Sequence, residues 1–339
     1  MRRGQRGALG MLFALIGVVV VLVAAAGGIV LYGHVELEAV GSGTPLVVTV
    51  RGGESVEQLA AGLQSDGLIK SSLFFSAYAR LRGVQLKAGE YLLDSGMGAS
   101  EMLDVLEAAP YCPQVSFVIP EGFTVDQIAA RIAATKGLDI TREEYLEAVA
   151  GDSYDAPFLD MRPAGDTSLE GFLFPATYTV PDCASAHDVV QEQLNAFATN
   201  VVPLLAKSGS EAYADLISAS LVEAEVLPGD FADVASVIDN RLAIDMHLQL
   251  DTTVMYGLHL SGEVMSPADE ASDTPYNTYI NGGLPPTPID NPGTQAVKGV
   301  LAPASTDYYF YMTDPCGVTH YSVTEAEHEQ QVSEYGDSC

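Results

Sequence analysis

The sequence is short of positive charge. Fifteen Lys and Arg stand against 45 Asp and Glu, a formal net charge of −30 over 339 residues. A surface of that sign repels phosphate backbones and anionic lipid, which excludes nucleic acid as a partner. The excess reads as a solubility adaptation, suited to a salty medium, and points to no particular site. Metal-binding spacings are missing too. The six His residues form no HExxH pattern, and Cys112, Cys183, Cys316 and Cys339 form neither a CxxC pair nor a zinc spacing. No metal and no cofactor is implied. Nor does a Cys of the lipid-attachment kind follow the N-terminal apolar run.

Apolar residues are plentiful at 48%, enough for two or three modules with cores of their own. Arg2, Arg3 and Arg6 precede a run from Ala8 to Tyr32 that carries no charge. At about 1.5 Å per residue, a helix over this run crosses a hydrocarbon core of about 30 Å. Basic residues before it, with Glu36 and Glu38 after it, place residues 1–7 in the cytoplasm and everything beyond the span outside. The alternative is a cleaved signal peptide with Ala24, Ala25 and Ala26 at the cleavage site. Signal-peptide cores usually run about 7–15 residues, so the length favours an uncleaved, single-pass anchor over 8–32. Outside the membrane the four Cys can form two disulfides. Three pairings are open, of which Cys112 with Cys183 and Cys316 with Cys339 is one.

A linker over 33–43 leads into a pattern that occurs twice, VTVRGGESVEQLAAGLQSDGLI (48–69) and FVIPEGFTVDQIAARIAATKGL (117–138). In the first copy Val48 and Val50 read as a strand, Gly52 and Gly53 as a turn, Ser55 as an N-cap, and Leu59 and Leu63 as a buried helical stripe. The second copy offers Val118, Gly122, Thr124, Ile128 and Ile132 at the matching places. Further helices are expected over 72–82 and 141–150, and KAGEYLL (87–93) reads as a strand closing the first unit. Such a module resembles the LysM glycan-binding fold, and a plain spacer has the same pattern.

From LEGFLFPATYTV (169–180) the texture turns aromatic and proline-rich, with Glu170 among apolar neighbours, either on a cleft wall or as one exposed acid on a strand. The helix over 186–205 reads as scaffold. LISASLVEAEV (216–226) then sets Glu223 and Glu225 into an apolar helical run, where packing alone disfavours them. Two residues apart on a helix they point about 200° from one another, so only one can face a cleft centre. VASVIDNRL (234–242), HLQLD (247–251), PYNTY (275–279) and GLPPTPIDNPG (283–293) follow, a polar second helix and a Tyr/Asn/Pro-rich loop suited to a bulky polar polymer.

LEGFLFPATY, SASLVEAE, VASVIDNRL, LQLDTTVMYG, PYNTY, GLPPTPIDNPG and AVKGVLAPASTDYYFYM, in this order, resemble the MltG-type (YceG-like) endolytic murein transglycosylases over nearly the whole chain. The resemblance implies an α+β protein: an N-terminal transmembrane helix, a small LysM-like α+β module over 44–110, and a mixed α+β catalytic domain over 111–339 that opens with the repeated pattern at 115–150. It implies cleavage of nascent peptidoglycan glycan strands at the outer face of the cytoplasmic membrane, leaving 1,6-anhydro-N-acetylmuramic acid ends and terminating elongation. Peptidoglycan synthases are the implied partners.

Hydrolytic glycosidases generally use two carboxylates, whereas a lytic transglycosylase needs no water and can work with one acid that becomes the base. The family's pattern puts that acid second in the VExE string, at Glu225, although Val226 and Leu227 follow where a small polar residue is usual. Glu223 then contacts substrate or pairs with Arg241. Asn240 and Arg241 are candidates for sugar hydroxyls or a muramyl carboxylate, Gln249 and Asp251 for the next strand, and Tyr276, Asn277 and Tyr279, with Glu170, for the pyranose faces. Two rival readings remain: a non-catalytic membrane-anchored glycan-binding scaffold, and a hydrolytic muramidase pairing Glu225 with Glu170 or Asp251.

Overall fold

A computed structural model describes residues 18–19, 22–23, 27–28, 31–43, 45–151, 153–226, 229–260 and 265–336. The expected anchor over 8–32 lies largely outside them. Among the described residues no helix is long and apolar enough to cross a membrane. The chain divides into two compact units, Met1–Cys112 and Pro113–Cys339.

In the first unit, strand β1 (Leu46–Val50) pairs antiparallel with β2 (Gly89–Leu93), and helices α1 (Val56–Ser65) and α2 (Ser72–Arg82) lie between them in sequence. Helix α3 (Ala99–Glu107) completes the unit. Ser55 caps α1 in a reciprocal box with Gln58, which satisfies two otherwise orphaned N–H groups. Val48, Val50, Leu59, Leu63, Tyr91, Met102 and Leu103 form one core. The alternation along β1 and the helical stripe along α1 both point inward, as the pattern requires.

The second unit repeats the opening. Strand β3 (Gln114–Val118) leads through a turn to α4 (Val125–Ala133), capped by Thr124 with Gln127, and then to α5 (Arg142–Val149), capped by Thr141 with Glu144. One detail differs from the expectation. Val118 faces solvent, while Phe117 and Ile119 are buried, because the period-two alternation runs through them. The partner of β3 is β4 (Thr177–Pro181), from the aromatic segment, again antiparallel. Helix α6 (Ala186–Asn200) and the short α7 (Val202–Leu205) follow.

Helix α8 (Ala212–Glu225) is buried almost all round, with Leu216, Ile217, Ser218, Ala219, Ser220, Leu221 and Val222 all enclosed. Such a helix has no solvent face and runs through the middle of its unit. It packs on α9 (Phe231–Ala243), α10 (Asp251–Gly257) and α11 (Thr294–Leu301). The hairpin β5 (Phe310–Thr313) and β6 (Thr319–Ser322) and the C-terminal α12 (Glu325–Tyr335) finish the chain. Cys112, Cys183 and Cys316 are all disulfide-bonded, and Cys339 lies outside the described residues.

Candidate active site

Helix α8 ends at Glu225, and Val226 beyond it is extended. The side chain is partly buried and held by two hydroxyls. Thr252 Oγ1 donates to Oε1 at 2.5 Å, and Tyr311 Oη donates to Oε2 at 2.7 Å. Burial raises the proton affinity of Glu225 above the ordinary carboxyl range, the two hydroxyls pull it back, and nearby Asp251 adds to the rise. The carbonyl end of the helix also disfavours a negative charge there. Glu225 is therefore a carboxyl set to exchange a proton, with both oxygens fixed in direction.

Glu223 points elsewhere. Its Oε2 accepts from the backbone N–H of Gly293, the N-cap of α11, at 3.0 Å. A carboxylate is stabilised at a helix N-terminus, so this acid joins α8 to α11. No ion pair forms between Glu223 and Arg241; the guanidinium is buried and serves backbone carbonyls. Its Nε donates to Tyr309 O at 2.6 Å, an NH group donates to Leu248 O, and its Cζ lies 5.2 Å from the Phe310 ring centroid. Asn240 does similar work, donating to Thr306 O and Tyr308 O at 3.1 and 2.9 Å. Together these two residues fix the approach to β5, and with it Tyr311.

A cleft of about 810 Å³ opens beside the end of α8, with Ala224 and Thr252 in its wall. Gly122, Glu170, Tyr256 and Asp290 line it as well. Glu170, expected either on a cleft wall or exposed, is 3% exposed and in the wall. The Val125 N–H donates to both its oxygens, Asn291 Nδ2 donates to Oε1 at 2.8 Å and Tyr256 Oη to Oε2 at 3.1 Å. Burial nevertheless pushes its pKa up to about 8. Within the second unit no three His, Cys, Asp or Glu side chains among the described residues converge closely enough to grip a metal ion.

The remaining expected residues divide in two. Asp251 and Tyr279 lie near Glu225, the tyrosine hydroxyl donating to Asp251 Oδ1 at 2.5 Å. Gln249 is exposed between buried Leu248 and Leu250 and has φ of 51°, a left-handed backbone uncommon for a non-glycine residue. Its own N–H donates to Thr278 O at 3.1 Å, which leaves the side chain outside. Asn277, by contrast, is wholly buried and organises its loop. Nδ2 donates to Glu270 O and Ser272 O, and Oδ1 accepts from the Tyr279 N–H. Tyr276 shares a hydrogen bond with Thr287 and packs edge-on against Tyr256.

Four neighbours of the acids were not singled out from the sequence: Thr252, Tyr311, Asp290 and Asn291. Thr252 follows Asp251 in the quoted LQLDTTVMYG, and Tyr311 sits in the quoted run that ends in YYFYM, so position in a motif was available as a signal. Asp290 and Asn291 likewise sit in the quoted GLPPTPIDNPG, where nothing local tells their roles apart. Asn291 is fully buried, accepts from Leu173 N–H, and donates to Phe123 O and Glu170.

A model of the YceG-like family matches residues 48–334. The chain is 30% identical to the endolytic murein transglycosylase of Bacillus subtilis (strain 168), over 91% of this chain and 90% of that protein. It is also 30% identical to the endolytic murein transglycosylase of Streptococcus pneumoniae serotype 2 (strain D39 / NCTC 7466), over 86% of this chain and 59% of the relative's length. A crystal structure of a putative yceG-like protein from Listeria monocytogenes superposes with a TM-score of 0.57 at 31% identity, covering 85% of this chain and 99% of that one. Residues 48–334 take in β1 through almost all of α12, and on that breadth of match the chain belongs to the YceG-like family.

Proposed function

We propose that this protein is an endolytic lytic transglycosylase of peptidoglycan, with Glu225 as its single acid and base. The observation that carries the reading is the setting of Glu225: it stands at the end of an enclosed helix, its proton affinity raised by burial, and its chain neighbour Ala224 and hydrogen-bond partner Thr252 both line the cleft. The names of the Bacillus and Streptococcus relatives support the substrate class.

Protonated Glu225 gives its proton to the glycosidic oxygen between N-acetylmuramic acid and N-acetylglucosamine, and the C1–O bond breaks. As carboxylate, it then takes the proton of the muramic 6-hydroxyl, whose oxygen closes onto C1. A 1,6-anhydro end results, no water is consumed, and Glu225 is protonated again. Thr252 and Tyr311 keep the carboxylate oriented between the two transfers. Asp251, Tyr279 and the exposed Gln249 flank this point as sugar contacts; Asn240, Arg241 and Asn277 support it from behind.

In the same reading residues 8–32 anchor the chain in the cytoplasmic membrane with both units outside, the βααβ unit contacts glycan, and peptidoglycan synthases are neighbours. The test is a digest of purified glycan strands analysed by mass spectrometry. Anhydro ends from the wild-type protein, lost in Glu225→Gln without loss of fold, are the expected outcome. Reducing ends instead would make the enzyme a muramidase, and no cleavage at all would leave a glycan-binding scaffold.

A further inference from the structure

Among the acids in and beside the cleft, Asp290 stands apart; it and Glu170 line the wall, whereas Glu223 and Glu225 lie behind it. Glu170 is met by Val125, Asn291 and Tyr256, Glu223 by Gly293, and Glu225 by two hydroxyls. Asp290 is 3% exposed, and its Oδ1 has no hydrogen-bond partner among the described residues. A buried, unmatched carboxyl costs stability and gives the fold nothing in return. Yet it lines the cleft. A Cβ built on Gly122 would stand 3.7 Å from Asp290 Oδ2 and 3.5 Å from Glu223 Cγ, and Gly122, at φ of 72°, leaves that side of the wall bare.

The charged groups facing Asp290 are both acids, Glu170 and Glu223, with Asp126 behind the first and Glu121 behind the second. Burial first, then these two neighbours, hold its proton affinity well above the ordinary carboxyl range. A carboxyl that keeps its proton is a hydrogen-bond donor as well as an acceptor.

We propose that Asp290 is a substrate-binding residue of the cleft, presenting its carboxyl proton to an oxygen acceptor of a neutral amino-sugar unit such as N-acetylglucosamine. The inference rests on the glycan reading above and adds a residue and a polarity to it. A neutral sugar suits this place because a protonated acid donates a hydrogen bond and offers a cation no counter-charge. A cationic sugar would require the carboxylate.

The test measures binding, so that it does not depend on turnover. Full-length Glu225→Gln protein is titrated with a neutral N-acetylglucosamine oligomer and with its deacetylated, cationic counterpart, alone and with Asp290→Leu or Asp290→Asn added. Asp290→Leu should weaken the neutral oligomer about five- to ten-fold, as expected for one lost hydrogen bond, and Asp290→Asn should recover most of that loss. The same Asp290→Leu should raise the melting temperature, since it removes an unmatched polar group; a merely structural residue would lose stability and binding together. Affinity should fall at high pH in the parent and lose that dependence in Asp290→Asn. The proposal is overturned if the parent binds neither oligomer, if Asp290→Leu binds as the parent does, if Asp290→Asn is as weak as Asp290→Leu, or if the cationic oligomer is preferred. Binding that survives while wild-type protein makes no anhydro ends would sink the enzyme reading and leave this one standing.

Discussion

Glu225 accepts from two hydroxyls and still holds its proton more tightly than an exposed glutamate, because removal from water outweighs what Thr252 and Tyr311 return. The two donors therefore set how far the affinity climbs. Removing either hydrogen bond, by Thr252→Val or Tyr311→Phe, leaves the charged form less satisfied and raises the affinity further. For a reaction that starts from the protonated acid, the alkaline limb of the pH–rate profile should move to higher pH in both variants. A limb that moves to lower pH would contradict this account.

Glu170 offers a second test at the same scale. Its folded pKa of about 8 lies above the ordinary carboxyl value of 4.5, so the folded state binds the extra proton between those values. The stabilisation is complete below about pH 4.5 and is lost as pH rises towards 8. Each unit of separation corresponds to about 1.4 kcal/mol. Thermal melts across that window should show stability falling with pH, and falling less steeply in Glu170→Gln than in the wild type, the remainder coming from Glu223, Glu225 and Asp290. Single residues were unevenly legible in the sequence. Glu225 and Glu223 stood out because an apolar helix disfavours charge, whereas Asp290 and Asn291 sit in a loop, and only folding brings them against Gly122 and Glu170.

At the scale of elements the sequence spoke most clearly where local chemistry decides the outcome. Ser55 and Thr124 cap their helices because a side-chain oxygen within reach of N3 is sufficient, and β2 closes on β1 because both alternate. It spoke least clearly where a side chain serves a distant backbone. Asn240, Arg241 and Asn277 look like sugar ligands in a string of letters. The carbonyls that Asn240 and Arg241 satisfy, at Thr306 and Tyr309, lie far along the chain, and those of Asn277, at Glu270 and Ser272, come within reach only when its loop folds back. Asn277→Ala should thus act on the loop, costing about 2–3 kcal/mol for its lost hydrogen bonds in chemical denaturation. Gln249→Gly should do the reverse. Glycine relieves the left-handed backbone and should stabilise by about 1 kcal/mol, while weakening glycan binding if the exposed side chain is a contact.

For the whole molecule, the dominant quantity is the charge of −30. Self-repulsion on that scale works against compactness and is screened by salt, whose Debye length falls from about 30 Å at 0.01 M to about 3 Å at 1 M. Melting temperature should rise with sodium chloride over that range. A flat response would mean that the surface acids are already neutralised locally. The order of motifs along the chain revealed the family-wide arrangement of the second unit. The pairing of β3 with β4 and the burial of α8 follow from contacts that no local window contains.

The burial of α8 has a mechanical consequence. A rod gripped over Leu216–Val222 cannot swing, so the carboxyl at its tip is held at a fixed place. Under the proposed function, a glycan strand must bring the bond to be cut to that fixed point.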